Sequence, residues 1–400
     1  MREKSISEND IQIPMKIFKL VFKNAFRHKL RTLLTILGIA IAVIAFGLLR
    51  TVVTAWSAGV EASAADRLIT RHAVSFIFPL PYYYRDKISQ LPAVNEVTYA
   101  NWFGGVYIDK NQFFPRLAVD VTTFLHVYPE YLLSKGEVAD FKRERNACVL
   151  GKAIADQYDL KIGALMTLEG DIYPGQWEFV VRGIYQPKFS TTDASQMLFH
   201  WDYLNERIKR ESPVRANEVG WYIVKIDNPD NSANISQRID ALFKNSPAET
   251  KTETEGAFQQ GFLSSSSAII TAINVMSFVI VGIIMLVLAN TMIMSARERT
   301  REYAVFKALG FSAGHLTGLI LGESLFISML GGGFGLAMVF PLVKGFEQAV
   351  PKGFFPVFQV EPITLILAVS AVILIGVAAA VFPIQRALTT KIVEGFRFVG

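Results

Sequence analysis

Residues 297–311 read RERTREYAVFKALGF. This is a short, charge-rich, helix-favouring run set between two long apolar segments. Residues 262–296 before it contain no charged side chain, and residues 316–343 after it contain one, Glu323. A water-soluble domain has no reason to flank a surface helix in this way, because an uncharged apolar run of roughly 18 residues or more marks a membrane span. A charged helix between two spans lies at a membrane face. There it can act as a handle that a partner in the water phase grips.

Composition supports a divided chain. Hydrophobic residues make up 51% and charged residues 19% of 400 positions, which is apolar for a soluble protein. A chain of this length usually holds more than one domain. Residues 54–265 carry 22 Lys/Arg against 26 Asp/Glu, a net of −4, and the other positions carry 18 against 9, a net of +9. An ordinary soluble domain is therefore set into a basic membrane part. The basic excess lies at membrane edges, so it is no sign of nucleic-acid binding. A single cysteine, Cys148, excludes an intramolecular disulfide.

In chain order, residues 1–12 read as a polar tail. After Pro14, Ile17, Leu20, Val21 and Phe22 interleave with Lys16, Lys19 and Lys23, a pattern that predicts an amphipathic helix in the headgroup layer within residues 1–31. Residues 32–53 are long enough to cross a hydrocarbon core of about 30 Å at about 1.5 Å per residue. A cleaved signal peptide ending near Ala62-Ser63-Ala64 is disfavoured by the long basic region ahead of the apolar core.

Residues 54–265 hold no span. Their patterning predicts an α+β domain: helices over 56–68, 82–90, 151–158, 201–210 and 231–243, and strands over 73–78, 94–99, 106–108, 117–121, 147–150, 165–168, 177–185 and 219–226. Three more spans follow at 266–296, 316–342 and 362–383. They are separated by a coupling helix and loop at 297–315 and a short loop at 343–361, and a tail runs over 384–400. The fold class expected is thus a membrane protein with four transmembrane α-helices and a large α+β extracytoplasmic domain between spans 1 and 2.

Orientation follows from Lys/Arg counts in the short segments. The segment up to Arg31 has eight, 297–307 has four and the C-terminal tail has three, whereas 343–361 has two balanced by two acids. With four spans the three basic segments share one side, the cytoplasm, with both termini there and the large domain outside.

No catalytic chemistry emerges. No G-x-x-x-x-G-K-[ST] occurs, and no strand is followed by G-x-G-x-x-G. Gly331 to Gly335 lie within a span, where small residues let helices approach. Gly314, Gly318 and Gly322, and then Gly331 and Gly335, recur at four-residue spacing and are read as helix-packing positions. His28, His72, His126, His200 and His315 have no metal-ligand spacing. Glu323 is the one acid well inside a span, a functional candidate by position. The plainer reading is a bond to a neighbouring helix. The aromatic run Tyr82-Tyr83-Tyr84 reads mostly as core.

Several stretches resemble the MacB/FtsX-like permeases of ABC transporters, which include the lipoprotein-releasing permeases. FRHKLRTLLTILGIAI at 26–41 is similar to the family's entry into its first span. VLGKAIA at 149–155, LKIG at 160–163 and FVVRGI at 179–184 resemble its periplasmic core domain. Residues 297–310, Glu323-Ser324-Leu325 and 331–335 resemble its segment from cytoplasmic loop through third span, and PIQRA at 383–387 its tail. Residues 389–400 depart from the usual ending and receive no role.

The resemblance implies a subunit that binds no cofactor itself. ATP and Mg would be held by a separate cytoplasmic ABC ATPase present in two copies. A second permease copy or paralogue would complete a dimer in the bacterial inner membrane, and a periplasmic or outer-membrane partner is compatible with it. Arg297, Glu298, Arg299, Arg301, Glu302, Tyr303, Phe306, Lys307, Leu309 and Gly310 would then form the ATPase-coupling helix, with Arg299 and Glu302 able to pair at i,i+3. The function implied is mechanotransmission: hydrolysis in the partner moves the outer domain and exports or extracts an amphiphile, peptide or lipoprotein. The competing class is a signalling scaffold on the same frame that controls a cell-wall hydrolase. A membrane-anchored enzyme would need clustered polar residues in the outer domain, which the sequence does not single out.

Overall fold

The computed structural model describes residues 25–110, 112–264, 267–349 and 358–390. The amphipathic helix expected before residue 25 and most of 389–400 lie outside them. The chain divides into two compact units: Met1–Val53 with Ala268–Gly345 and Gln359–Gly400, and Thr54–Ser267 with Phe346–Phe358.

Among the described residues, four helices are long and apolar enough to cross a membrane. They are α1 (Lys29–Ala62), α9 (Ser267–Glu298), α11 (Ala313–Ala349) and α12 (Pro362–Thr389). Small residues decide how they meet. A Cβ added at Gly331 would come within 2.8 Å of Ile39 Cβ and 2.9 Å of the Ile36 carbonyl oxygen, and one at Gly335 within 2.8 Å of the Ala40 carbonyl oxygen. One turn on, Gly47 of α1 takes Val339 of α11 in the same way. The two backbones are therefore in close contact along several turns, where larger residues would force them apart. On the other side of α11, Ser324 Oγ donates to the Gly376 carbonyl at 2.7 Å, and Val372 fills the space over Gly332. Across from α9, Thr35 and Thr291 hydroxyls meet at 3.3 Å and Arg50 Nη1 donates to Asn274 Oδ1 at 3.0 Å.

The second unit contains β1 (Arg67–His72), β2 (Leu80–Pro81), α2 (Tyr84–Ser89), β3 (Val94–Trp102), β4 (Arg116–Val119), α3 (Phe124–Val127) and β5 (Tyr131–Leu132). It continues through α4 (Lys135–Arg143), β6 (Ala147–Gly151), α5 (Lys152–Gln157), β7 (Leu165–Gly170), β8 (Gly175–Pro187), β9 (Met197–His200) and α6 (Trp201–Glu211). It closes with β10 (Glu218–Val219), β11 (Trp221–Ile226), α7 (Ser232–Leu242), β12 (Thr250–Thr254) and α8 (Glu255–Ser264). The main sheet runs β12-β1-β11-β3-β4-β9-β6-β8, with β5 and β7 paired along β8, while β2 and β10 form a small separate ladder. Most pairs are antiparallel; β4 with β9 and β6 with β8 are parallel.

Both faces of this sheet are buried. Leu68, Tyr99, Cys148, Leu150, Phe199 and Tyr222 point into one core, where Ile88 of α2, Leu204 of α6 and Ile239 of α7 meet them. Their strand neighbours Ile69, Ala100, Val149, Leu198 and Ile223 point into the other, with Phe124 of α3 and Phe141 of α4. Successive strand side chains alternate faces, so a strand covered on both sides reads as a continuous apolar run. Each Leu, Ile, Val or Phe among them contributes about 1.5–3 kcal/mol on burial.

The structure departs from the sequence pattern in several places. A strand was expected over 73–78; the strand is β1, and 73–78 is an irregular loop that exposes Val74 and Ile77. The helix expected over 56–68 ends at Ala62, because Arg67–Thr70 are taken by pairing with β11. Residues 106–108 make only one isolated bridge, Val106 with Glu169. Strands β9 and β12 were unforeseen. One is a four-residue apolar run without alternation, and the other, TKTET, is a polar edge strand.

A buried ionic knot closes the unit where the chain enters and leaves it. Arg67 holds Glu130 and Glu255, each at 2.7 Å, and its guanidinium lies 4.3 Å over the Tyr128 ring. Glu255 also accepts from the Ala64 backbone N–H at 3.0 Å and the Tyr128 hydroxyl at 3.1 Å. Ala64 follows α1 and Glu255 begins α8, so one carboxylate ties the two connections together.

His200 is buried with Nε2 at 2.5 Å from the Phe141 carbonyl, which can only accept, so Nε2 carries the hydrogen. Burial holds its pKa below the ordinary imidazole value. The unfolded chain therefore takes up the proton first as pH falls. The stabilisation is fully present above the unfolded value of about 6.5 and is lost as pH drops through the lower folded value. The unfolding temperature of the whole chain in detergent should fall over this range more steeply than that of His200→Gln. Equal slopes would refute the assignment.

Candidate functional site: the charged elbow between the second and third membrane helices

Helix α9 stays apolar to Ala296 and ends in Arg297-Glu298. Arg299 breaks it, with φ −101° and ψ 10°, and a nine-residue helix α10 (Thr300–Ala308) follows. Gly310 ends α10 at φ +86°, a conformation that costs glycine little. The Gly310 N–H donates to the Lys307 carbonyl at 3.1 Å and the Phe311 N–H to the Phe306 carbonyl at 3.0 Å. The rings of Phe306 and Phe311 sit 5.2 Å apart, so the stop carries both the paired hydrogen bonds and the apolar contact of a Schellman end. The run 297–311 is thus a bent elbow, and not one continuous helix.

Charged contacts fasten the elbow on several sides. Arg31 of α1 grips Glu298 through two N–H groups at 3.0 and 2.8 Å, and His28 Nε2 lies 3.2 Å from the same carboxylate. Arg27 pairs with Glu302. Lys307 Nζ donates to the carbonyls of Leu388 and Thr390, each at 2.8 Å, which places a cation on the C-terminal end of α12. Arg299 Nη1 meets Glu323 Oε2 of α11 at 2.6 Å, with Arg299 3% and Glu323 4% exposed.

These partners correct the local reading of the sequence. Arg299 and Glu302 do not pair with each other. Arg299 sits at the helix break and is buried toward α11, and Glu302 faces Arg27. Arg299 therefore offers no charge to a partner, while Arg297 and Arg301 are exposed. Nor do Tyr303, Phe306 and Leu309 share one face. A three-residue step falls short of a helical turn by about 60°, so Tyr303 is buried, Phe306 half-buried and Leu309 70% exposed. Burial pushes the Tyr303 phenol up to about 12. The open side of the elbow is instead Val305, Leu309 and Phe311.

Of the glycines, Gly331 and Gly335 lie against α1 as described, whereas Gly314 and Gly318 are exposed and meet no neighbouring helix. Gly322 is half-buried. Arg27, His28 and Arg31 went unrecognised as partners of the elbow. Their signal was a basic cluster before one span and an acid pair after another, but nothing in the sequence says which ends meet.

Four spans, a two-faced α+β domain between the first two and a charged elbow between the next two define a polytopic permease subunit. The family model of the MacB-like periplasmic core domain matches residues 32–242, and that of the FtsX-like permease C-terminal matches residues 274–392. The chain belongs to the MacB/FtsX-type permeases of ABC transporters. It is 23% identical over 409 residues to the uncharacterized ABC transporter permease MJ1507 of Methanocaldococcus jannaschii, covering 95% of this chain and 97% of that one. Among solved structures it is similar to the periplasmic region of MacB from Actinobacillus actinomycetemcomitans, at 12% identity and a TM-score of 0.37, over 51% of this chain and 95% of that one. It is also similar to the extracellular domain of the noncanonic ABC-type transporter YknZ from Gram-positive bacteria, at 11% identity and a TM-score of 0.35, over 47% and 99%.

Breaking one half of the Arg299–Glu323 pair leaves the other charge buried alone, which costs about 3–5 kcal/mol. Glu323→Ala should lower the unfolding temperature in detergent markedly. The double variant Arg299→Met with Glu323→Met should recover most of the loss, since a well-packed apolar pair replaces a buried ionic one at little cost. A double variant as unstable as the single one would show that the pair is not the source of the effect.

Proposed function

We propose that this permease subunit carries the push of a separate ATP-hydrolysing subunit through the elbow into the membrane helices, and from them into the MacB-like domain. One observation carries the reading. The elbow is fastened by ion pairs to α1 and α11 and by a lysine to α12, while Val305, Leu309 and Phe311 stand uncovered on its open side. An apolar patch on a rigidly held support is what a partner needs in order to transmit force. A patch on a loosely held loop would yield instead.

The charge pattern supports a cytoplasmic position for this elbow and both termini, with the MacB-like domain on the far side of the membrane. ATP and Mg are bound by the partner, in two copies, beneath a pair of permease subunits. Closure of the ATPases tilts the elbow, and the fastened helices move as rigid bodies. The outer domains then export or extract an amphiphile, a peptide or a lipoprotein.

Val305→Asp and Leu309→Asp lie outside the fastening network, so the fold should tolerate them. Loss of an apolar anchor at an interface centre should weaken capture of the ATPase roughly ten-fold or more and reduce ATP-driven activity in step. Normal co-purification and full activity in both variants would rule out the gripping role.

A further inference from the structure

Three arginines are buried among the described residues: Arg67, Arg116 and Arg299. Two of them rest on carboxylates, Arg67 on Glu130 and Glu255 and Arg299 on Glu323. Arg116, the first residue of β4, is 2% exposed and has no carboxylate oxygen within 4.0 Å among the described residues. Its Nη1 donates to the Phe114 carbonyl at 3.1 Å, and its guanidinium lies 3.8 Å over the Phe114 ring. Its Nε is buried and meets no acceptor among the described residues.

A second unsatisfied group lies beside it. The hydroxyl of Tyr158, at the end of α5, is buried and also lacks a partner among the described residues. The Tyr158 ring is 6.0 Å from that of Phe114 and 5.0 Å from that of Tyr107. Two unsatisfied donors therefore border one phenyl ring. Burial pushes the Arg116 guanidinium down to about 10, and Tyr158 and Asp171 offset this only in part, so the group stays charged at neutral pH. A buried cation with no carboxylate in contact is unfavourable, as is a buried donor without an acceptor. The fold leaves the Arg116 Nε–H and the Tyr158 hydroxyl unmet among the described residues.

We propose that Arg116 and Tyr158 form a binding site for the carboxylate of a ligand with an apolar or aromatic body. Both groups donate, so the ligand must accept, and a buried cation calls for an anion. The unmet Nε–H and the Tyr158 O–H match the two oxygens of a carboxylate. The nearby Asp171 charge also disfavours a doubly charged group. Phe114, Tyr107 and Tyr158 supply apolar walls, and the half-buried Tyr107 and Tyr158 place the site next to the surface. The proposal concerns the MacB-like domain alone and stands apart from the role of the elbow.

The test uses the full chain in detergent with benzoate, benzamide and inorganic phosphate as probes. Benzoate should raise the unfolding temperature, and benzamide and phosphate should not. Tyr158→Phe should weaken benzoate roughly ten-fold, and Arg116→Met should abolish its effect. Without ligand, Tyr158→Phe should unfold at or above the wild-type temperature, because it removes an unsatisfied buried hydroxyl, whereas Arg116→Met also gives up the contacts with Phe114. No benzoate effect, an equal effect of benzamide, a stronger one of phosphate, or benzoate binding unchanged in both variants would each overturn the assignment.

Discussion

A guanidinium and a carboxylate 2.6 Å apart, both almost wholly out of water, hold the end of α9 against α11. Neither charge is tolerable there alone, because the bundle interior offers no water to solvate it. The pair therefore sets the register between the second and third spans more strictly than apolar packing could. Leu, Ile and Val slide past one another at small cost, whereas a separated ion pair leaves two stranded charges. The bend at Arg299 follows from the same contact. A residue committed to α11 cannot also continue the straight course of α9, so α10 starts on a new axis.

The surrounding contacts fasten the elbow in different ways. The Arg31–Glu298 and Arg27–Glu302 pairs are more exposed and individually weak. They tie α9 and α10 to the first span, and their number makes up for the weakness of each. Lys307 adds a cation on the open carbonyls at the end of α12. A second buried knot, Arg67 with Glu130 and Glu255, joins the two chain connections of the MacB-like domain. In both units, charges are buried where helices or connections must stay in register.

Much of the architecture was legible in the sequence. The four spans announced themselves by length and absence of charge, and the α+β character of 54–265 by its alternation of short patterns. Strands exposed on one face were easy to see. Strands buried on both lose that period-two alternation, since both neighbours are apolar; β6 still showed as a continuous apolar run, whereas β1 and β9 did not stand out. The elbow was located correctly as an element but wrongly as a surface. Its predicted contact stripe, Tyr303, Phe306 and Leu309, divides between core and solvent, and Arg299 lies inside.

By itself the sequence determined the number of spans, the place of the large domain and the position of the charged helix, because hydrophobicity and length act locally along the chain. Only the tertiary structure decided which charge meets which. Arg299 could satisfy a helical i,i+3 partner or an acid 24 residues away, and sequence spacing favours the near one. The far one wins because the bundle buries both groups, and an unpaired Glu323 would otherwise stand alone there. Burial strengthens such a partnership and penalises its absence, and burial is a property of the assembled helices that no stretch of sequence carries on its own.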